Sequence, residues 1–161
     1  MPVSSENEPG STGSAPAPPA YERTVRVLAV SSAEDDLRFL RNLFDHSRWI
    51  IHTARGCAEA ADFLCRNPMP VIVCDNQLAD GSWRDLLRIV STLPGHPLLI
   101  VTSRAADDYL WAEVLNLGGY DVLAKPFEPE EVIRVISLAW LHWKNLCERQ
   151  RLEQPLLAAG T

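Results

Sequence analysis

Residues Gly118–Phe127 read GGYDVLAKPF, and they set how the chain on either side of them is read. Gly118 and Gly119 close a helix, because glycine just past the last turn takes a left-handed backbone that other residues resist. Asp121–Ala124 (DVLA) is then a short apolar strand, stopped by Lys125-Pro126-Phe127. Pro129 reopens a helix, since a first-turn proline gives up an N–H that has no helical partner. The order is helix, strand, turn, helix, and it recurs upstream.

Asp107–Leu117 is the helix before those glycines, and Pro97–Thr102 (PLLIVT) is the strand before that helix. Trp83–Thr92 is helical up to the Pro94-Gly95 break, and Val71–Asp75 (VIVCD) is a strand ending in an acid. Between them Asn76–Ser82 is a loop with an Asp80-Gly81 turn. Gly56–Asn67 is a helix with Ala60, Phe63 and Leu64 on one face, ended by Pro68 and Pro70. Trp49–Thr53 (WIIHT) and Thr24–Val30 (TVRVLAV) are further strands. Leu37, Leu40, Leu43 and Phe44 space out a helix between those two, through about His46. Ser31 or Ser32 is placed to cap it, with Glu34, Asp35 and Asp36 in the first turn, where acids are favoured.

Apolar strands alternating with amphipathic helices imply an α/β fold: a doubly wound, five-stranded parallel sheet covered on both faces. Chemistry in such sheets gathers at the C-terminal ends of the strands. Those ends carry Ser31-Ser32, Asp75, Thr102-Ser103 and Lys125-Pro126. A carboxylate, hydroxyls and an ammonium are therefore expected to meet in one crevice, with Asp75, Thr102 and Lys125 each one βα unit apart.

The chain has 161 residues, 15 basic and 21 acidic, and a net charge of -6. That length suits one domain. The acidic balance argues against a nonspecific nucleic-acid binder. No apolar stretch approaches membrane-spanning length, and Glu6 and Glu8 do not suit a secretory signal, so a cytoplasmic protein without membrane contact is expected. Cys57, Cys65, Cys74 and Cys147 form no Cys-x-x-Cys pair and do not cluster with His46, His52, His96 or His142; free, mostly buried cysteines follow. Residues 1–22, rich in proline and small polar residues, are expected to be a disordered tail. Residues 23–146 form the domain, and 147–161 are the end of the last helix and a short tail.

The stretches VIVCD, DNQLADGS, LLIVTS and GGYDVLAKPF together resemble a receiver domain of the two-component response regulators, over about residues 22–145. The resemblance implies a flavodoxin-like (βα)5 fold, here with an extended C-terminal helix. It implies that Asp75 accepts a phosphoryl group from a sensor histidine kinase, that Thr102 and Lys125 contact that group, and that the bond before Pro126 is cis. The family also carries an acidic pair at the end of strand one, which holds magnesium. Ser31 and Ser32 stand there instead, and Glu34, Asp35 and Asp36 read as helix-terminus charges. Magnesium would be left with Asp75 and the Gln77 backbone carbonyl, a weak site. Asp75 and Lys125 balance one another in formal charge without a metal. The loop proline of the family is Ala79, and the aromatic that switches between states, three residues before the lysine, is Val122. Tyr109 and Tyr120 match other positions.

The last helix is expected to run from Pro129 to about Leu152. Val132, Ile136, Ala139, Trp143 and Leu146 are spaced as in a heptad, and only the first half of the helix is needed to cover the sheet. Trp140, Trp143 and Leu146 are therefore expected to meet a partner or a second copy in a homodimer. The function expected is that of a single-domain receiver, not an enzyme. It would act through protein–protein contact with a histidine kinase or other signalling protein, with phosphorylation of Asp75 weak or absent. The alternative is a fully phosphorylation-dependent receiver. An enzyme or flavin binder on the same fold is the outside alternative, disfavoured because no glycine-rich loop follows strand one and Asp75-Asn76-Gln77 lacks a second acid two residues on.

Overall fold

In the computed structural model, residues 24–158 are described, with side chains to 154; the expected tail 1–22 lies outside them. The elements in chain order are β1 (Arg26–Val30), α1 (Glu34–Asp45), β2 (Ile50–Ala54), α2 (Cys57–Arg66), β3 (Val71–Asp75), β4 (Gln77–Leu78), β5 (Gly81–Ser82), α3 (Trp83–Val90), β6 (Leu98–Ser103), α4 (Asp108–Leu117), β7 (Asp121–Ala124) and α5 (Pro129–Ala158).

The five long strands form one parallel sheet in the order β2-β1-β3-β6-β7. Counting only those strands, this is the flavodoxin-like order, in which the strand sequence reverses beside the first strand. Side-chain alternation sorts the strands' apolar residues onto two faces. Leu28, Val30, Ile72, Leu99 and Val101 pack with Leu64 of α2, Trp83 and Leu86 of α3 and Val114 of α4. Val27, Ala29, Val73, Ile100 and Leu123 pack with Leu37, Leu40 and Phe44 of α1 and with Val132, Ile136 and Ala139 of α5. Buried on both faces, these strands read as continuous apolar runs rather than alternating ones.

Three elements differ from the sequence reading. The segment after β3 is not a plain loop: β4 and β5 pair antiparallel around the Asp80-Gly81 turn. Neither serine caps α1. Its N-cap is Ala33, without a side-chain cap, and Ser31 Oγ accepts the Ala33 N–H from outside the helix at 3.1 Å. The expected acidic first turn is present. α3 begins with a full capping box, Ser82 and Asp85 each bonding the other's backbone. α5 continues past Leu152 to Ala158.

The end of α5 also corrects the expectation for its tryptophans. Trp140 is half-buried against the α1–α5 face of the core, with the Lys144 ammonium 5.0 Å from its ring centroid. The Trp143 indole turns onto the chain's own loop and donates to the Gly95 carbonyl. Apolar recesses bounded by Pro68 lie beside it. Both rings find cover within the domain because α5 crosses the lower edge of the sheet, where the strands begin. Leu146, beyond that edge, is half-buried.

Candidate functional site

At the opposite edge the strands' C-terminal ends are held level by backbone bonds one step beyond the sheet. Ser31 N–H donates to Ala54, Asn76 N–H to Thr102 and Lys125 N–H to Ser103. Asp75 sits beside Thr102 in the β3–β6 register. The Lys125-Pro126 peptide is cis, as the resemblance implies. Together these elements frame an open cleft of about 450 Å³, lined among others by Asp36, Asp75, Gln77, Ser103, Arg104 and Lys125.

Asp75 uses both carboxylate oxygens. Oδ1 accepts the Asn76 N–H at 2.9 Å, and Oδ2 accepts the Ser31 hydroxyl at 3.3 Å and the Lys125 ammonium at 2.9 Å. The same ammonium lies 2.6 Å from Asp36 Oδ2. Only 6% of the Lys125 side chain is exposed, against 18% of Asp36 and 16% of Asp75. The expected neutral pair is therefore wrong by one charge: two carboxylates share one lysine, leaving one net negative charge. Asp36 is a member of the site, not only a helix-terminus charge.

The two serines serve different purposes. Ser31 is buried and bonds Asp75, so it stays at the site as a neutral donor. Ser32 faces away: its hydroxyl donates to the Arg55 carbonyl at 3.1 Å and accepts the Ala79 N–H at 3.2 Å. It staples the hairpin loop to the start of α2. Asp80 reinforces that staple by accepting the Cys57 and Ala58 N–H groups at 2.8 and 3.0 Å. Those backbone bonds hold the Asp80 carboxyl below its ordinary range, Ala58 first. Gly56 makes room, since a Cβ there would stand 2.5 Å from Asp80 Oδ1.

Glu34 is spoken for. It pairs with Arg41 at 3.1 Å and with Arg55, and the two guanidinium bonds hold its carboxyl low, Arg41 first. Thr102 is buried, and its hydroxyl makes no hydrogen bond to another described residue. Ser103 lines the cleft and accepts the Ala105 N–H and an Asn76 side-chain N–H. Val122 is half-buried against the α2–α4 face of the core. Burial pushes the neighbouring Cys74 thiol far up, so it is inert as a nucleophile.

Residues 27–137 match the family model for the response regulator receiver domain. The chain belongs to that family. The chain is 32% identical over 111 residues to a probable transcriptional regulatory protein, TcrX, of Mycobacterium tuberculosis, covering 68% of this chain and 47% of that protein. It is 25% identical over 115 residues to the response regulator protein PilR of Pseudomonas aeruginosa, covering 71% of this chain and 26% of that protein. The chain thus spans less than half the length of these curated relatives. Among solved structures, the signal receiver domain of an HD domain-containing protein from Pseudomonas fluorescens superposes with a TM-score of 0.72 at 26% identity, covering 79% and 94% of the two chains. The chemotaxis response regulator CheY4 of Vibrio cholerae shares the fold, with a TM-score of 0.67 at 17% identity over 72% and 98%.

Receiver domains typically use magnesium in phosphorylation. The donors of this cleft do not fit a resident magnesium ion. Asp36 and Asp75 both hold Lys125, Glu34 is held by arginines, and Ser32 is turned away. Among the described residues no three His, Cys, Asp or Glu side chains are arranged to hold a metal ion. Asp35 also lines the cleft, but it is exposed beside Arg38, which leaves Asp75 and the Gln77 backbone, too few hard oxygen ligands for an ion that dehydrates reluctantly. Among the described residues no helix is long and apolar enough to cross a membrane.

Proposed function

We propose that this receiver works in two-component signalling as a cytoplasmic protein-interaction module, with Asp75 its candidate phospho-acceptor and phosphoryl transfer onto it weak or absent. The observation that carries this reading is the Lys125 ammonium clamped by Asp36 and Asp75 where a divalent ion would have to act. A carboxylate attacks phosphorus only if the incoming charge is neutralised, and a phosphoryl group adds about -1.5 to -2. Here the resting cleft is already negative and Lys125 is committed. Output through contact is supported by the large side chains that α4 leaves open: Tyr109 is 88% exposed, Trp111 50% and Leu117 53%, and Trp111 lines one recess with Val122. The partner is a sensor histidine kinase or another signalling protein. The second copy expected on the last helix is not supported by Trp140 and Trp143, which pack inward.

One observation favours the alternative of a fully phosphorylation-dependent receiver: the Thr102 hydroxyl, beside Asp75 in the register, is unclaimed. Beryllofluoride, a phosphoryl mimic, separates the two. It is added with magnesium to the full chain and to Asp75→Ala, and the amides are followed by NMR. No saturable change at millimolar magnesium supports the interaction module. A saturable change lost in Asp75→Ala means that the acceptor works despite Ser31 and Ser32.

A further inference from the structure

Asp36 reaches Lys125 from the first turn of α1, 89 residues earlier in the chain. The Lys125 ammonium rests 2.6 Å from one carboxylate oxygen and 2.9 Å from another, in a recess that leaves 6% of its side chain exposed. Two acids from different elements converging on one buried cation is how an acid pair holds a metal ion, with a side chain in the ion's place. Charge-assisted bonds of this kind strengthen as water is excluded. No other carboxylate of α1 competes for the position. Glu34 is bound by Arg41 and Arg55, and Asp35 is exposed beside Arg38.

We propose that Lys125 is the resident cation of this cleft and that Asp36 is the residue that positions it, so that ammonium and divalent ion exclude one another. The proposal rests on reading the cleft as the receiver site, but its claim is separate. Removing the ammonium should leave Asp36 and Asp75 facing one vacancy with two net negative charges, a place for a hard cation. Removing Asp36 as well should abolish that gain, because Asp75 and the Gln77 backbone are a poor pair of ligands.

The test is a magnesium chloride titration of the full chain, followed through the Asn76 and Gln77 amides by NMR. Wild type is expected not to saturate at millimolar magnesium. Lys125→Met is expected to saturate, with affinity higher by on the order of tenfold or more. The double variant Lys125→Met/Asp36→Asn is expected to return to wild-type behaviour. A wild type that saturates as readily as Lys125→Met, or a gain that survives Asp36→Asn, overturns the proposal. Should Lys125→Met fail to fold by circular dichroism, the Asp36 variants carry the test. Acetylation of Lys125 by an N-hydroxysuccinimide ester, read by mass spectrometry, should rise several-fold in Asp36→Asn and fall back in Asp36→Glu. An unchanged rate in Asp36→Asn overturns the positioning role. The beryllofluoride experiment reads the receiver function through Asp75, whereas the titration with magnesium alone and the Lys125 acetylation read the exclusion and the Asp36 role without the mimic.

Discussion

The Trp143 indole N–H donates to the Gly95 carbonyl at 2.7 Å, tying α5 to a loop 48 residues earlier. That loop turns through positive φ at Gly95 (86°) and at His96 (49°). His96 pays for a left-handed backbone that glycine adopts freely, so an outside tie is useful there. Trp143→Phe removes the bond but keeps most of the ring, and should cost about 0.5–1.5 kcal/mol in urea unfolding. Trp143→Ala should cost more, because the apolar contacts with Pro68 and its neighbours also go. Light scattering should give one mass for wild type and both variants. A mass that halves in either variant would restore Trp143 as a self-association residue.

Asp80 gives the acid limb of stability a definite sign. Its folded-state pKa is lowered by the Ala58 and Cys57 N–H groups. The unfolded chain, with a carboxyl near the ordinary value of about 3.9, binds a proton first as pH falls. The Asp80 contribution is therefore complete above that value and is lost as pH drops through the lower folded pKa. Asp80→Asn should flatten the fall of Tm below about pH 4, since an amide has no proton to gain there. Thermal melts of the two proteins across that range decide it. Parallel curves would mean that other acids, Glu34 among them, carry the acid limb.

Thiol reactivity should follow burial. Cys65 is exposed, whereas Cys57 and Cys74 are buried and their thiols are pushed up, chiefly by desolvation. The thiolate is the reactive form, so native chain treated with iodoacetamide should be alkylated at Cys65 well before Cys74. Peptide mapping over time checks the order. Early labelling of Cys74 would mean that the sheet opens around its central strand β3 far more often than the packing implies.

The strands, their order and the meeting of Asp75 with Lys125 could be read from the chain because each rests on local pattern plus the rule that parallel strands end on one side; Thr102 stands beside Asp75 in the register, and Ser103 rather than Thr102 lines the cleft. Asp36 could not be read as a partner for Lys125 from charge alone, since three acids in a row look like any helix start. One signal was present. Asp36, Leu40 and Phe44 fall on one helical stripe, and the last two are buried, so Asp36 faces inward at the top of that stripe. Ser32 and the β4–β5 hairpin were hidden for another reason. Ser32 bonds Ala79 across 47 residues, which no local pattern reports, and each hairpin strand is two residues long, too short to show an alternation. Trp143 misled because heptad spacing says which face a helix buries and not against what.

Restoring the acid at position 31 probes why a serine suits this site. Ser31 is buried, with its hydroxyl 3.3 Å from Asp75 Oδ2. Ser31→Asp would bring a third carboxylate toward the Lys125 ammonium, which already serves Asp36 and Asp75. Like charges this close resist joint ionisation, so the variant in EDTA should lose about 1–3 kcal/mol and melt several degrees lower. Magnesium should then return part of that loss in the variant while leaving wild-type Tm unchanged, because a ligand that binds only the folded form raises its stability by mass action. Melts of both proteins with EDTA and with millimolar magnesium supply the comparison. If magnesium raises wild-type Tm as much as that of the variant, the resting cleft binds divalent cations after all.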